Sequence, residues 1–516
     1  MSHSEASALV AERTSAVERL AAGVVGVGLA TILFSVLSVT RILTEETSVL
    51  GIGLYDFLAV GVALMGVGVV ALGAGSRAGV FESTPDETPG LVTAALFGGG
   101  AFVVAGLTAS QTLGFGTVGW LLLALLSGGF TLFAVALAPE DVGSTLPAGV
   151  AAVGVAALVV GDVVGPSFAW QPDGFSATFT GAMSVPVLLA VIALVAAWAA
   201  AKAYEGYGSQ GRQTAAYLLV GVNAVGIIAV LGTLLLFIAM KGAGPAFRGF
   251  SLVPFEWPFV QNGYSFRPDV INGVFPAIMG TIWLVIGAVV TGVPLAVAAA
   301  VFLTEYAEQG RFVGAVEIAT NGLWSTPSVV YGLFGYAFLV PRLGGTTSLL
   351  SGMLVLGFML LPLCLITSRE ALKSVPDEYR DASAALGVSK WQTIRSVVIP
   401  AAVPGILTGV ILGVGRIAGE TAPILLVMSG GLRDPAPNVL GAFEFTTTPP
   451  FVANEALLQS APALPYQLYA TITAGVSAEN AAEYGWGTAF VLLAVVLSFY
   501  AIGIASRIYF RRKLNA

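Results

Sequence analysis

Residues 369–400, REALKSVPDEYRDASAALGVSKWQTIRSVVIP, form the polar stretch on which the fold turns. Its five cationic side chains, Arg369, Lys373, Arg380, Lys390 and Arg395, make it too polar to cross a bilayer. Apolar sequence flanks it near 347–368 and 402–429, and a membrane span needs about 20 such residues. The stretch therefore reads as a cytoplasmic loop between two membrane helices. Within it, Val375-Pro376-Asp377 reads as a turn opening a helix from Asp377 to Leu386. Gly387 stops that helix, and Ser389 can cap a second one from Lys390. The first helix presents Ala382, Ala384 and Ala385 beside Leu386, a small-residue face suited to a groove on a partner protein. On periodicity alone, a solvated loop is an equally good reading.

The rest of the chain agrees with a membrane setting. Of 516 residues, 56% are apolar and only 10% charged, against about 25% in a soluble domain. Mean hydropathy is +0.89. Soluble enzymes and nucleic-acid binders are excluded on this ground. The lone cysteine, Cys364, rules out an internal disulfide framework, and the lone histidine, His3, rules out a histidine-based metal site or triad. No metal ligands are expected. A net charge of −7, with few lysines beside many arginines, points to an acidic, salt-adapted surface.

Working outward from the loop, apolar runs lie near 21–40, 50–73, 91–112, 117–138, 147–165 and 183–203. A second set lies near 214–240, 272–303, 316–340, 347–368, 402–429 and 487–508. The expectation is an all-α polytopic membrane protein of about 12 transmembrane helices. Polar residues Glu5, Glu12, Arg13, Glu18 and Arg19 precede the first run, and no small-residue cleavage site follows it, so it reads as a span rather than a signal peptide. With both termini cytoplasmic, six cations fall outside: Arg41, Lys241, Arg248, Arg267, Arg342 and Arg433. Arg416 falls within a span and the other fifteen fall inside, which is the bias expected of cytoplasmic loops. The localisation read from this is a plasma membrane, crossed many times.

The two halves differ. Spans before residue 205 carry almost no polar residue, Asp56 and Asp162 near span ends excepted. After Tyr204–Gln213 the loops lengthen, and polar residues and prolines enter the spans. A boundary is placed there, giving an extension over 1–211 and a core over 212–516. Gly206–Thr214 only faintly echoes a phosphate-binding loop, because it lacks the Gly-Lys-Ser/Thr that would hold nucleotide. Gly98-Gly99-Gly100 reads as close helix packing.

The span after the polar loop, GILTGVILGVGRIAGETAPILLVMS over 405–429, carries the remaining chemistry. Arg416 and Glu420 are four apart, so one helix face would hold both. Charges inside a span face a protein interior or a watery path. One reading is a structural ion pair. The other is a translocation site, in which the guanidinium hydrogen-bonds a tetrahedral oxyanion and Glu420 keeps it from being trapped. Thr421 would add a neutral hydrogen bond, and Gly419, Pro423 and Pro327 would act as packing or hinge positions.

The polar loop resembles the cytoplasmic signature of permease subunits of binding-protein-dependent ATP-binding-cassette importers. That signature runs Glu-Ala-Ala, three residues, Gly, nine residues, Ile, one residue, Leu-Pro. Here Asp381-Ala382-Ser383, Gly387, Val397, Ile399 and Pro400 fill its positions, with mild departures at four of them. The resemblance implies that the loop docks into an ATPase subunit through Ala382, Leu386 and Gly387, with Asp381 and Ser383 in the same motif. Arg416–Pro423 (RIAGETAP), Trp324–Leu339 (WSTPSVVYGLFGYAFL) and Ala296–Ala307 (AVAAAVFLTEYA) are similar to stretches of the PstA-type permeases of phosphate importers. The likeness covers roughly 212–516 and implies a six-helix permease core, with 1–211 as a six-helix extension of unassigned role.

The partners implied are a second, PstC-type permease, a pair of ATPase subunits carrying ATP and Mg, an external phosphate-binding protein, phosphate and the lipid bilayer, with no nucleic acid. The chain itself has no ATPase motif, so it is expected to be neither an enzyme nor the holder of a cofactor. Sulfate or molybdate is the alternative substrate. A twelve-span transporter driven by an ion gradient is a further alternative, but it needs deep acidic residues in both halves and leaves the loop unexplained.

Overall fold

The computed structural model describes residues 16–44, 46–172, 175–265, 270–308, 310–448, 451–473 and 481–515. His3, Glu5, Glu12, Arg13 and Arg267, named above, lie outside them. Among the described residues eleven helices are long and apolar enough to cross a membrane, and a bent pair makes twelve if counted as one span. The chain divides into two compact units, one up to Val230 and one from Leu231.

The first unit contains α1 (Ala16–Val39), α2 (Leu54–Arg77), α3 (Leu91–Thr112), α4 (Thr117–Leu137), α5 (Glu140–Val160) and α6 (Gly181–Tyr204). Small residues let these helices approach closely. A Cβ at Gly66 of α2 would stand 2.8 Å from the Gly149 carbonyl oxygen of α5. Of the expected packing triplet, only Gly98 serves this way, 3.0 Å from the Gly128 carbonyl oxygen of α4; Gly99 and Gly100 face open space. Successive residues on a helix point about 100° apart, so one neighbouring helix can claim only one of the three.

Two further sequence expectations are corrected here. The fifth span begins at Glu140 rather than near 147, and the spans of this half hold buried charge after all. Glu140 is fully buried at the start of α5 and accepts hydrogen bonds from the backbone N–H of Asp86 and Gly208, both at 3.1 Å. Lys202 of α6 lies 3.5 Å from it and Arg212 lies 3.2 Å away. Asp141 accepts from Ser76, and Lys202 donates to Ser144 at 3.1 Å. A carboxylate at a helix N-terminus that meets two cations and two amides can be buried; hydropathy alone places it outside the helix. Glu140→Gln leaves Lys202 without its counter-charge. It is expected to destabilise this unit by about 3–5 kcal/mol, read as a lower midpoint of thermal unfolding for the purified chain.

The polar stretch after α6 is short in the structure. Only residues 205–207 separate α6 from α7 (Gly208–Ala246), a helix of 39 residues. The unit boundary falls within α7. Arg212, near its start, is tied to Glu140 and Asp86 of the first unit.

The second unit centres on α8 (Phe275–Tyr306) and α11 (Leu349–Lys373), which pack along their length. A Cβ at Gly292 would stand 2.5 Å from the Gly357 carbonyl oxygen. Leu284, Leu349, Leu356, Leu360 and Cys364 lie in the core so formed, so Cys364 packs as a small apolar residue. Between α8 and α11 run α9 (Arg311–Ser325) and α10 (Ser328–Arg342), bent by 102°. After α11 come α12 (Asp377–Ala385), α13 (Lys390–Ala418), α14 (Ala422–Val427), α15 (Leu464–Thr473) and α16 (Ala481–Asn515). α13 packs against α11 and α16. A two-stranded hairpin, Phe443–Phe445 with Val452–Asn454, lies between α14 and α15.

Candidate functional site: a membrane arginine and a polar-loop helix

The run expected to cross straight from 316 to 340 is broken. Pro327 lacks an N–H and holds Thr326 extended, so α9 ends at Ser325 and α10 starts at Ser328. The break is stapled on both sides. Thr326 donates to the Gly322 carbonyl at 2.8 Å, and the Tyr331 hydroxyl donates to the Leu323 carbonyl at 2.9 Å. Trp324 is thereby held at the bend, 37% exposed.

A second break faces it. The helix carrying Arg416 stops at Ala418, with Gly419 as its cap, and Pro423 lies in the first turn of α14. Arg416 and Glu420 therefore do not share a helix face, because Glu420 lies in the turn between α13 and α14. The turn still brings them together. Arg416 Nε lies 3.9 Å from Glu420 Oε1, an ion pair too long for a hydrogen bond. Thr421 stands at the N-cap of α14. Packing fixes the turn, since a Cβ at Gly332 of α10 would stand 2.7 Å from Pro423 Cα.

The guanidinium of Arg416 sits over the Trp324 ring, with Cζ 4.4 Å from its centroid. It is one-third exposed, and among the described residues its N–H groups meet no hydrogen-bond acceptor. The ring holds the cation through its face, which orients the guanidinium without using its donors. Such a group can offer its planar N–H fork to a tetrahedral oxyanion. Glu420 at 3.9 Å and the negative end of the α13 dipole limit how tightly an anion would be held. Sequence reasoning missed the role of Trp324, which lies 92 residues from Arg416 in the chain; its only signal was a Trp directly before Ser-Thr-Pro.

The polar loop folds as its punctuation requires. Pro376 caps α12, and Gly387 takes the left-handed φ of +72° that ends it. Ser389 and Gln392 form a capping box at the start of α13. No residue of α12 is buried. Asp381, Ala382, Leu386 and Gly387 are exposed and Ser383 is half-buried. Tyr379, Leu386 and Trp391 are 54%, 82% and 55% exposed, an apolar patch of the kind that marks an interaction surface.

The patch is fastened to the membrane helices by Arg380. Its guanidinium donates to Glu305 at the end of α8 at 2.7 Å, and to the carbonyls of Leu372 and Val375 at 3.1 and 2.8 Å. The Glu305 hydrogen bond holds this guanidinium above its ordinary pKa. Lys390 stands over the Tyr306 ring at 5.1 Å, and Arg369 donates to Glu317 at 2.6 Å. Arg380 thereby ties α12 to the ends of α8 and α11. Among the described residues no three His, Cys, Asp or Glu side chains gather as a metal-holding group.

Residues 292–514 match the family described as binding-protein-dependent transport system inner membrane component. The probable ABC transporter permease protein YqgI of Bacillus subtilis is 30% identical over 297 residues, covering 57% of this chain and 95% of that protein. The chain belongs to this family of ABC transporter permeases. YqgH of the same organism, another probable permease, is 35% identical over 41% of this chain and 70% of its own length. The phosphate transport system permease proteins PstA of Xylella fastidiosa and PstA 1 of Mycobacterium tuberculosis are 39% and 40% identical over 31% and 30% of this chain. The chain spans only about half the length of these two, 55% and 51%. An inward-facing structure of the MetNI methionine ABC transporter aligns over 46% of this chain and 94% of its own at 17% identity, with a TM-score of 0.35. As an ABC permease the chain is a multi-pass membrane component and not an enzyme, and it works with an ATPase and a substrate-binding protein. Family membership removes the gradient-driven alternative. The matched residues lie in the second unit, where both parts of the candidate site are found.

Proposed function

We propose that the chain forms one half of the translocation path of an ATP-driven importer of inorganic phosphate. The observation that carries this reading is the Arg416 guanidinium, seated on Trp324 with its N–H groups meeting no acceptor among the described residues. Phosphate presents the tetrahedral oxyanion that this fork fits. Similarity to PstA proteins over about 30% of the chain supports the same substrate. Thr421, at the N-cap of α14, is the neutral donor in this reading; Gly419, Pro423 and Pro327 let the two breaks move.

In this reading Asp381, Ala382, Ser383, Leu386 and Gly387 dock into an ATPase subunit, and the Arg380 anchor passes its movement to α8 and α11. A related PstC-type permease supplies the other half of the path. Two ATPase subunits hold ATP and Mg, and an external phosphate-binding protein delivers the anion. Both termini are cytoplasmic in this reading, which the bias of cations toward the inside loops supports. Residues 1–211 are an extension to the permease core of 212–516.

Sulfate or molybdate is the second reading, because a guanidinium pairs with any tetrahedral oxyanion. The test is uptake of radiolabelled phosphate by cells expressing the chain with its partners, in the presence of excess unlabelled sulfate. ATP-dependent uptake that resists sulfate is expected. An assembled complex that takes up no phosphate, or loses uptake to sulfate, overturns the phosphate assignment.

A further inference from the structure

A cleft of ≈540 Å³ opens between α12, the first half of α13 and α16. Its volume lies within the range of small-molecule sites, about 300–1,000 Å³. Arg507 and Arg511 line one side, four residues apart on one face of α16. Ser396, Pro400 and Pro404 line the other, and Tyr379 of α12 closes the end. Among the described residues neither arginine forms an ion pair, and both are exposed. The cleft thus joins two uncommitted cations to an apolar wall.

Its depth is marked independently. Tyr509 and Phe510 follow Arg507 on α16, packed edge to face at 5.5 Å and 62% and 41% exposed. Aromatic side chains of this kind sit at the membrane–water interface, and the basic run Arg511, Arg512 and Lys513 continues beyond them. A soluble anion would use the arginines but gain nothing from the prolines. A phospholipid uses both, its phosphate on the cations and its glycerol and upper chains along the apolar wall. Basic pockets between membrane helices recognise lipid headgroups in this manner.

We propose that this cleft binds the phosphate headgroup of an anionic phospholipid. The site stands apart from the phosphate-import reading and needs no transport to be tested. Its consequence rests on that reading: Tyr379 lies on the helix assigned to ATPase docking, so an occupied cleft would hold that helix against α13 and α16.

The test is native mass spectrometry of the full chain released from nanodiscs of phosphatidylcholine containing phosphatidylglycerol. Wild type is expected to retain phosphatidylglycerol in preference to phosphatidylcholine. Each cation near a membrane surface is worth roughly fivefold in binding, so R507Q/R511Q is expected to weaken retention about 30-fold. R511Q alone, at an exposed position near the chain end, is expected to weaken it about fivefold. R507K/R511K keeps the charge and is expected to retain most of the binding. Retention unchanged in R511Q and in the double Gln variant overturns the proposal. Displacement of phosphatidylglycerol from wild type by inorganic phosphate also overturns it, making the cleft a site for a soluble anion.

Discussion

Arg416→Gln is expected to lower phosphate uptake at least about 100-fold while the complex still assembles. A charge-assisted hydrogen bond contributes about 1.5–3 kcal/mol, and the guanidinium fork makes two of them to one oxyanion. Losing both exceeds the 2.8 kcal/mol or so that separates a 100-fold difference. Gln keeps a polar, planar end and removes the charge and the fork at a partly exposed position. Arg416→Lys should recover only part of the uptake, because an ammonium is a point charge that neither forks nor stacks on Trp324. Trp324→Ala should cost less, about 3- to 10-fold, since it removes the cation–π contact and leaves the charge. Uptake by radiolabelled phosphate, with complex assembly followed by co-purification, separates these outcomes. Unchanged uptake in Arg416→Gln would reduce the arginine to a helix-locking residue.

The second large effect is expected at the polar-loop helix. Leu386 is 82% exposed, so Leu386→Asp costs the isolated chain little. In a docked complex the same position would lie in an apolar groove, where an unpaired carboxylate is costly to desolvate. Loss of a docking hot spot of at least about 2 kcal/mol weakens ATPase binding about 30-fold or more. Co-purification of the ATPase with the variant chain should fall by that factor, while the thermal midpoint of the chain stays at its wild-type value. A variant that keeps its ATPase would remove α12 from the docking surface.

The polar-loop helix was legible because its grammar is local. Pro376, Gly387 and Ser389 each act within one turn of the chain, and the helix they delimit runs Asp377–Ala385, one residue short of the expected end. Length and apolarity likewise gave most of the spans near their expected places, but the helix expected over 402–429 runs Lys390–Ala418. Pro327 and Gly419 were visible as positions where a helix could break, but how far the chain would turn at them was not. A bend of 102° at Pro327 depends on Tyr331 and Thr326 returning hydrogen bonds to α9. The ending of α13 at Ala418, which takes Glu420 off the helix, depends on where α14 can pack against α10.

Sequence alone therefore determined the class of the protein, most of its membrane-spanning runs, the helix within the polar loop and the choice of Arg416 as the charge to explain. These follow from apolar length, turn residues and the cost of charge in hydrocarbon, all of which are properties of short windows. Only the tertiary structure decided what Arg416 rests on, what anchors Arg380 and why Glu140 can be buried. In each case the partner lies far along the chain: Trp324 for Arg416, Glu305 for Arg380, Lys202 for Glu140. Whether a charge inside a membrane protein is stabilised depends on the group placed opposite it, and helix packing, not local sequence, makes that placement.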